Sequence, residues 1–144
     1  MNKTEFINEL IKLNIKITEE QLIKLEQFYK LLLTWNEKIN LTTITEEKDV
    51  YLKHFYDSLT LVKVMDLNAN LRVLDVGTGA GFPGIVLKII FPNLKITLLD
   101  SLNKRINYLN EIIKELNLED VDTVCARCED YTKNHIEEYD LVVS

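Results

Sequence analysis

The chain has 144 residues, 47% hydrophobic and 28% charged, with a formal net charge of −6, enough for one domain with a real core. An acidic balance with a pI of about 5.0 excludes a protein that holds nucleic acid by overall charge, because phosphate binding needs clustered Lys and Arg. No apolar run approaches the ~20 residues that cross a bilayer. Two cysteines make no disulfide framework, and Met1-Asn2-Lys3-Thr4-Glu5 lacks an export-signal layout, so a cytoplasmic setting is expected.

In chain order, a short helix is expected around Phe6, Ile7, Leu10 and Ile11. Thr18-Glu19-Glu20-Gln21 reads as a capping box, with Thr18 as N-cap and Gln21 reaching back. Leu22, Leu25, Tyr29 and Leu32 follow at helical spacing. The stretch from Thr45 to Met65 predicts one or two further helices with Phe55, Leu59 and Val62 on one side. Within it His54 and Asp57, three apart, share a face. A hydrogen bond at the surface or between the two parts of the chain is the plainer reading of that pair. Trp35 is expected to pack in the core or between those parts. Residues 1–67 thus read as an N-terminal helical cap, with Asn68-Ala69-Asn70 at the joint.

The pattern then changes. Leu71 to Asp75 is a β-rich run that ends at glycines. Ile85 to Phe91 reads as a helix opened by Pro83. A second strand, Lys95 to Leu99, ends at Asp100. Lys104 to Leu116 is an amphipathic helix with Ile106, Leu109, Ile113 and Leu116 inward. Asp122 to Cys125 and Tyr139 to Val143 supply two more strands. Alternating strands and helices predict an α/β domain over residues 68–144 with a parallel sheet. Ligands in such sheets lie at the carboxyl ends of the strands.

The turn Asp75-Val76-Gly77-Thr78-Gly79-Ala80-Gly81 sits between a strand and a helix, the context in which glycine spacing carries meaning. A dinucleotide fingerprint needs a glycine at position 82, which is Phe82. The observed G-x-G-x-G preceded by an acid suits S-adenosyl-L-methionine (SAM) better than a nicotinamide dinucleotide, because SAM has no pyrophosphate. Asp75 is then a candidate for meeting its cationic end, directly or through water. Asp100, at the tip of the second strand, suits two ribose hydroxyls. Glu129, after the third strand, falls where an adenine edge would lie. Cys125-Ala126-Arg127-Cys128 forms a C-x-x-C. It is read as coincidence with Cys125 a buried strand residue, and no metal site is expected.

These segments resemble the bacterial small-subunit ribosomal RNA guanine-N7 methyltransferases, also called glucose-inhibited division protein B. The resemblance rests on Trp35-Asn36-Glu37-Lys38-Ile39-Asn40-Leu41-Thr42, on His54 to Leu59 with its Asp-Ser-Leu, and on Val73 to Gly84 with Phe-Pro-Gly after the glycine turn. Asp100 to Arg105 and Tyr139 to Ser144 extend it. It implies a class I SAM-dependent, Rossmann-like fold. It also implies cofactor contacts at Gly77, Phe82, Asp100, Ser101, Leu102, Cys128 and Glu129, beside Gly79 and Gly81, which the glycine spacing already offers; Cys128 stands where the family usually has a small residue such as alanine. The implied partner is small-subunit ribosomal RNA; His54, Asp57, Lys104 and Arg105 are candidates for touching it, and Lys38 and Lys53 are further candidates for phosphate contacts. No membrane partner and a monomeric full-length form are expected. The family pattern runs on beyond Ser144 into an arginine and further strands. A fragment or truncated form with four of seven strands, and most of the RNA surface elsewhere, is therefore expected. Alternatives are a non-catalytic module that binds SAM or ribosomal RNA, and a SAM enzyme acting on a protein or small molecule. A nicotinamide-dependent oxidoreductase is disfavoured by Phe82.

Overall fold

The structure is a computed structural model that describes residues 1–144. Helix α1 (Lys3–Lys12) starts from a capping box on Asn2 and Glu5, and α2 (Glu19–Ile39) from the one on Thr18 and Gln21. Each box satisfies N–H groups that a helix start leaves bare. Helix α2 ends where Asn40 adopts φ +49°, a left-handed conformation that asparagine tolerates. The next helical segment changes pitch along its length. It begins as α3 (Glu47–Val50), widens into a π-helical stretch (Tyr51–Tyr56), tightens again as α4 (Asp57–Leu59) and closes in a 3₁₀ turn (Thr60–Lys63).

Strand β1 (Arg72–Val76) leads through the glycine turn into α5 (Gly84–Ile90), β2 (Lys95–Asp100), α6 (Asn103–Glu115), β3 (Val121–Cys125), α7 (Cys128–His135) and β4 (Leu141–Val143). The four strands are all parallel in the order β3-β2-β1-β4. The register aligns their carboxyl ends: Asp75 lies opposite Val143, Val76 opposite Leu99, and Asp100 opposite Cys125. Beyond β4 the edge is open. Just before it, Asp140 closes both backbone bonds to Arg72 of β1: its N–H donates to the Arg72 carbonyl and its Oδ2 accepts from the Arg72 N–H.

Helix α5 is buried along its whole length, packed against β2, α2 and α4, and α6 likewise meets α2. One apolar cluster therefore runs without a break from Phe6 and Leu10 through Phe28 and Phe55 to Leu98, Leu109 and Ile112. Trp35 meets Tyr108 edge-on at 5.8 Å, which ties α2 to α6. No helix is long and apolar enough to cross a membrane.

Several expectations need adjusting. Cys125 is exposed rather than buried, because it is the last residue of an edge strand. Phe28, not Tyr29, is the buried aromatic of α2; Tyr29 is half-buried and donates its hydroxyl to the Thr45 carbonyl. Ile112 rather than Ile113 is fully buried in α6, and Ile11 faces solvent. Tyr139 and Asp140 precede β4 instead of belonging to it.

Candidate functional site

The glycine turn is fastened to the sheet on both sides. The Thr78 N–H donates to the Leu99 carbonyl at 3.0 Å, and the Gly79 N–H to Asp100 Oδ2 at 2.9 Å. Gly77 has φ +65°, and a Cβ there would meet nothing within 4 Å. Its backbone thus faces open space, with a conformation that favours glycine. Gly81 is different: at φ +103° a Cβ would fall 2.7 Å from Ile85 Cγ1, so this glycine serves the packing of α5. From the other side the Tyr108 hydroxyl, fully buried, donates to the Ala80 carbonyl at 2.8 Å.

Asp75 lies beneath the turn, fully buried. Its Oδ2 accepts the Gly84 N–H at 2.8 Å, capping the start of α5, where Pro83 offers no side-chain cap. Its Oδ1 has no partner, and neither does the nearby buried Thr78 hydroxyl. Burial is the main reason the Asp75 carboxyl is pushed up to about 7; the nearby Asp100 charge adds to this, and the Gly84 N–H offsets part of it. Asp75 lines none of the cavities described below, so it is placed to hold the turn.

Asp100 is only 3% exposed and acts as a hub. Besides the Gly79 bond, its Oδ1 accepts the Leu102 N–H at 3.0 Å and lies 3.5 Å from an Arg105 guanidinium nitrogen. Arg105 is therefore drawn to the strand ends rather than left free for phosphate, whereas Lys104 is exposed and unpaired. Val76, Gly77, Asp100, Ser101, Arg105 and Cys128 line a cavity of about 170 Å³. Leu102, 40% exposed, stands at the start of α6 as an uncovered apolar side chain.

A second cavity, of about 610 Å³, adjoins the first through Val76 and Cys128. Glu129, Lys133 and Val143 line it further along. A third, of about 430 Å³, shares Val143 and Ser144 with the second. It lies between the cap and the turn, lined by Lys53, His54, Asp57, Phe82 and Pro83. The three make one band across the carboxyl ends of the sheet. Of the C-x-x-C, Cys128 lines the band, whereas Cys125 Sγ lies 3.7 Å from the Ser101 carbonyl and His135 pairs with Glu138.

The His54 side of the band is built by a relay that starts in α2. Asn36 Oδ1 accepts the N–H groups of Leu41 and Thr42 at 2.6 and 2.8 Å. The Thr42 hydroxyl then lies 3.0 Å from His54 Nε2. The His54 ring stacks on Phe82 with centroids 4.2 Å apart and planes 6° from parallel. The Ser58 hydroxyl donates to the His54 carbonyl at 2.6 Å. Burial holds His54 below its ordinary pKa, with Asp57 pulling the other way. The sequence singled out His54, Asp57 and Phe82, all of which line the third cavity, but not the roles of Asn36 and Thr42 beside His54 or of Tyr108 beneath the glycine turn. Asn36, followed by the left-handed Asn40, was the available clue.

A family model for rRNA small subunit methyltransferase G (GidB) matches residues 21–144. The chain belongs to this family. It is 50% identical over 135 residues to ribosomal RNA small subunit methyltransferase G of Desulforamulus reducens, covering 92% of this chain and 56% of that protein. It is 52% identical over 132 residues to the protein of the same name from Staphylococcus aureus, covering 91% of this chain and 55% of that one. The chain thus spans about half the length of these relatives. Among solved structures, one from Plasmodium falciparum described as a protein-L-isoaspartate O-methyltransferase, in complex with S-adenosyl-L-homocysteine, aligns with a TM-score of 0.57 at 15% identity, over 99% of this chain and 72% of that one. The bifunctional kinase-methyltransferase WbdD aligns with a TM-score of 0.53 at 19% identity, over 78% of this chain and 27% of that one. At such identities the likeness establishes the fold, a class I methyltransferase sheet preceded by helices.

Proposed function

We propose that this chain carries the SAM site of a methyltransferase that modifies N7 of a guanine in small-subunit ribosomal RNA. The observation that carries the reading is the Gly77–Asp100 corner. There a positive-φ glycine faces open space at the end of β1, and a buried carboxylate on the next strand is bonded to the same turn. The residues present fit the cofactor. The Asp100 oxygens keep lone pairs for ribose hydroxyls beside the backbone bonds they already accept. Ser101 and exposed Leu102 follow on the adenine side, with Cys128 and Glu129 across the cavity. Asp75 supports the turn from below and acts as a positioning residue.

When bound, SAM supplies a methyl group on a positively charged sulfur. Guanine N7 has a lone pair and no proton, so no general base is required. The work left to the protein is alignment and exclusion of water. Gly77 shapes the floor of the cavity, Gly79 and Arg105 fix Asp100, and the stacked His54 and Phe82 form a dry wall. N7 lies on the major-groove edge, which side chains cannot reach in A-form RNA, so a loop or an opened structure is the substrate. Names shared by the relatives and the family model support RNA of the small subunit as the partner. The family reading also carries a monomeric, cytoplasmic form at full length.

The test is calorimetric titration of SAM and S-adenosylhomocysteine into the chain and into Asp100→Ala. Micromolar-class binding, about −8 kcal/mol, is expected for the unaltered chain. It should weaken at least ~10-fold, about 1.4 kcal/mol, in the variant. Equal affinities in the two would reject Asp100 as the ribose acceptor.

A further inference from the structure

The third cavity has a composition that the cofactor does not use. It lies at the far end of the band from Asp100 and shares Val143 and Ser144 with the second cavity. One wall is aromatic, made by His54 and Phe82. Several of its hydroxyls are already committed: that of Ser58 donates to the His54 carbonyl and that of Thr60 to the Asp57 carbonyl. The charged groups that remain are Lys53 and Asp57. Both are exposed and four residues apart in the chain, and neither forms an ion pair with the other or with any other residue, so both are free to meet a ligand. The Asp57 carboxylate has no hydrogen-bond donor in the protein. It projects from the point where the helix returns from π to α pitch, an irregularity often found at functional sites.

We propose that this cavity is the base pocket, and that Asp57 is the specificity-determining residue that reads guanine. A carboxylate is acceptor-only and takes two donors side by side. Among the RNA bases, only guanine presents two adjacent donors on its Watson–Crick edge, N1–H and the N2 amino group. Adenine and cytosine place an acceptor next to their single amino group, and uracil has one N–H between two carbonyls. A guanine whose N1 and N2 bind Asp57 turns its N7, on the opposite side of the bicycle, away from Asp57 and toward the rest of the band. The base enters splayed from its stack, as bases do when an enzyme works on them, with its face against the His54–Phe82 wall and Lys53 free for a neighbouring phosphate. This assignment deepens the methyl-transfer reading and rests on it for the role of N7.

The test uses short single-stranded RNA probes with one central guanine, inosine, adenine or 7-deazaguanine. Binding is followed by fluorescence anisotropy with and without S-adenosylhomocysteine. Guanine should bind at least ~10-fold more tightly than adenine and several-fold more tightly than inosine, which lacks the N2 amino group. The 7-deaza probe should match guanine within twofold, because N7 is not gripped. Asp57→Asn should erase the guanine preference, and Asp57→Glu should restore part of it; thermal melts report whether either variant folds. Equal binding of all four probes, or an unaltered preference in Asp57→Asn, overturns the proposal and leaves SAM binding untouched. Failure to bind SAM with guanine discrimination intact would instead overturn the methyl-transfer reading and leave Asp57 as the reader.

Discussion

Asp75 shows how one residue can carry a cost for the sake of its neighbours. An ordinary aspartate gives up its proton near pH 3.8, whereas in the folded chain Asp75 does so near 7, chiefly because it is buried. Between those values the unfolded chain has lost a proton that the folded chain keeps. The contribution of this residue to stability is therefore fully present below about pH 3.8 and is lost as pH rises through about 7. Asp75→Asn keeps an oxygen for the Gly84 N–H and removes the ionisation. Relative to the variant, the unaltered chain should lose stability on the order of a few kcal/mol between pH 4 and pH 8, as read from urea unfolding at a series of pH values. Parallel pH profiles would mean that Asp75 ionises at its ordinary value in the folded chain, because water reaches it in solution.

At the scale of elements, α5 is short and fully buried, capped at its start from outside and tied to the loop after it by one of its own side chains. Asp75 of β1 caps its start. At its end Lys88, only 4% exposed, donates from Nζ to the carbonyls of Pro92 and Leu94. Burial lowers the Lys88 pKa, while Asp120 and Glu119 oppose that shift. Replacing it with methionine keeps the stem and removes the donor. Lys88→Met is expected to cost about 1–3 kcal/mol in chemical denaturation without changing SAM affinity, because the residue lies at the amino ends of the strands. A loss of SAM binding at unchanged stability would show instead that the two ends of α5 are coupled.

Across the whole molecule, the cap and the sheet share one core, and the sheet has two unpaired edges, β3 and β4, of which β4 is the more apolar. Val142 is 43% exposed there, and Leu141 to Val143 present an apolar strand to solvent. Such edges template pairing with another chain. Sedimentation velocity should show concentration-dependent association of the chain, relieved in Val142→Lys. Identical behaviour of the two would mean that the edge is protected by its short length. The same openness bounds the second cavity, whose far wall in this chain is only α7 and the end of β4.

The sequence by itself determined the local signals: the capping box at Thr18, the parallel α/β order, the glycine turn and the acid at Asp100. These follow from spacing along the chain, because helix caps, strand periodicity and positive-φ turns are set by residues a few positions apart. It also pointed to His54, Asp57 and Phe82, through the resemblance of their segments rather than through chemistry. Only the tertiary structure decided what those residues touch. That Asp75 supports the turn instead of lining the cavity, that Arg105 is taken by Asp100, that Cys125 is exposed, and that Asn36, Thr42 and Tyr108 aim the site all depend on contacts between distant elements. Nothing in the local sequence encodes those distances, because burial and pairing are properties of the packed core in which the cap meets the sheet.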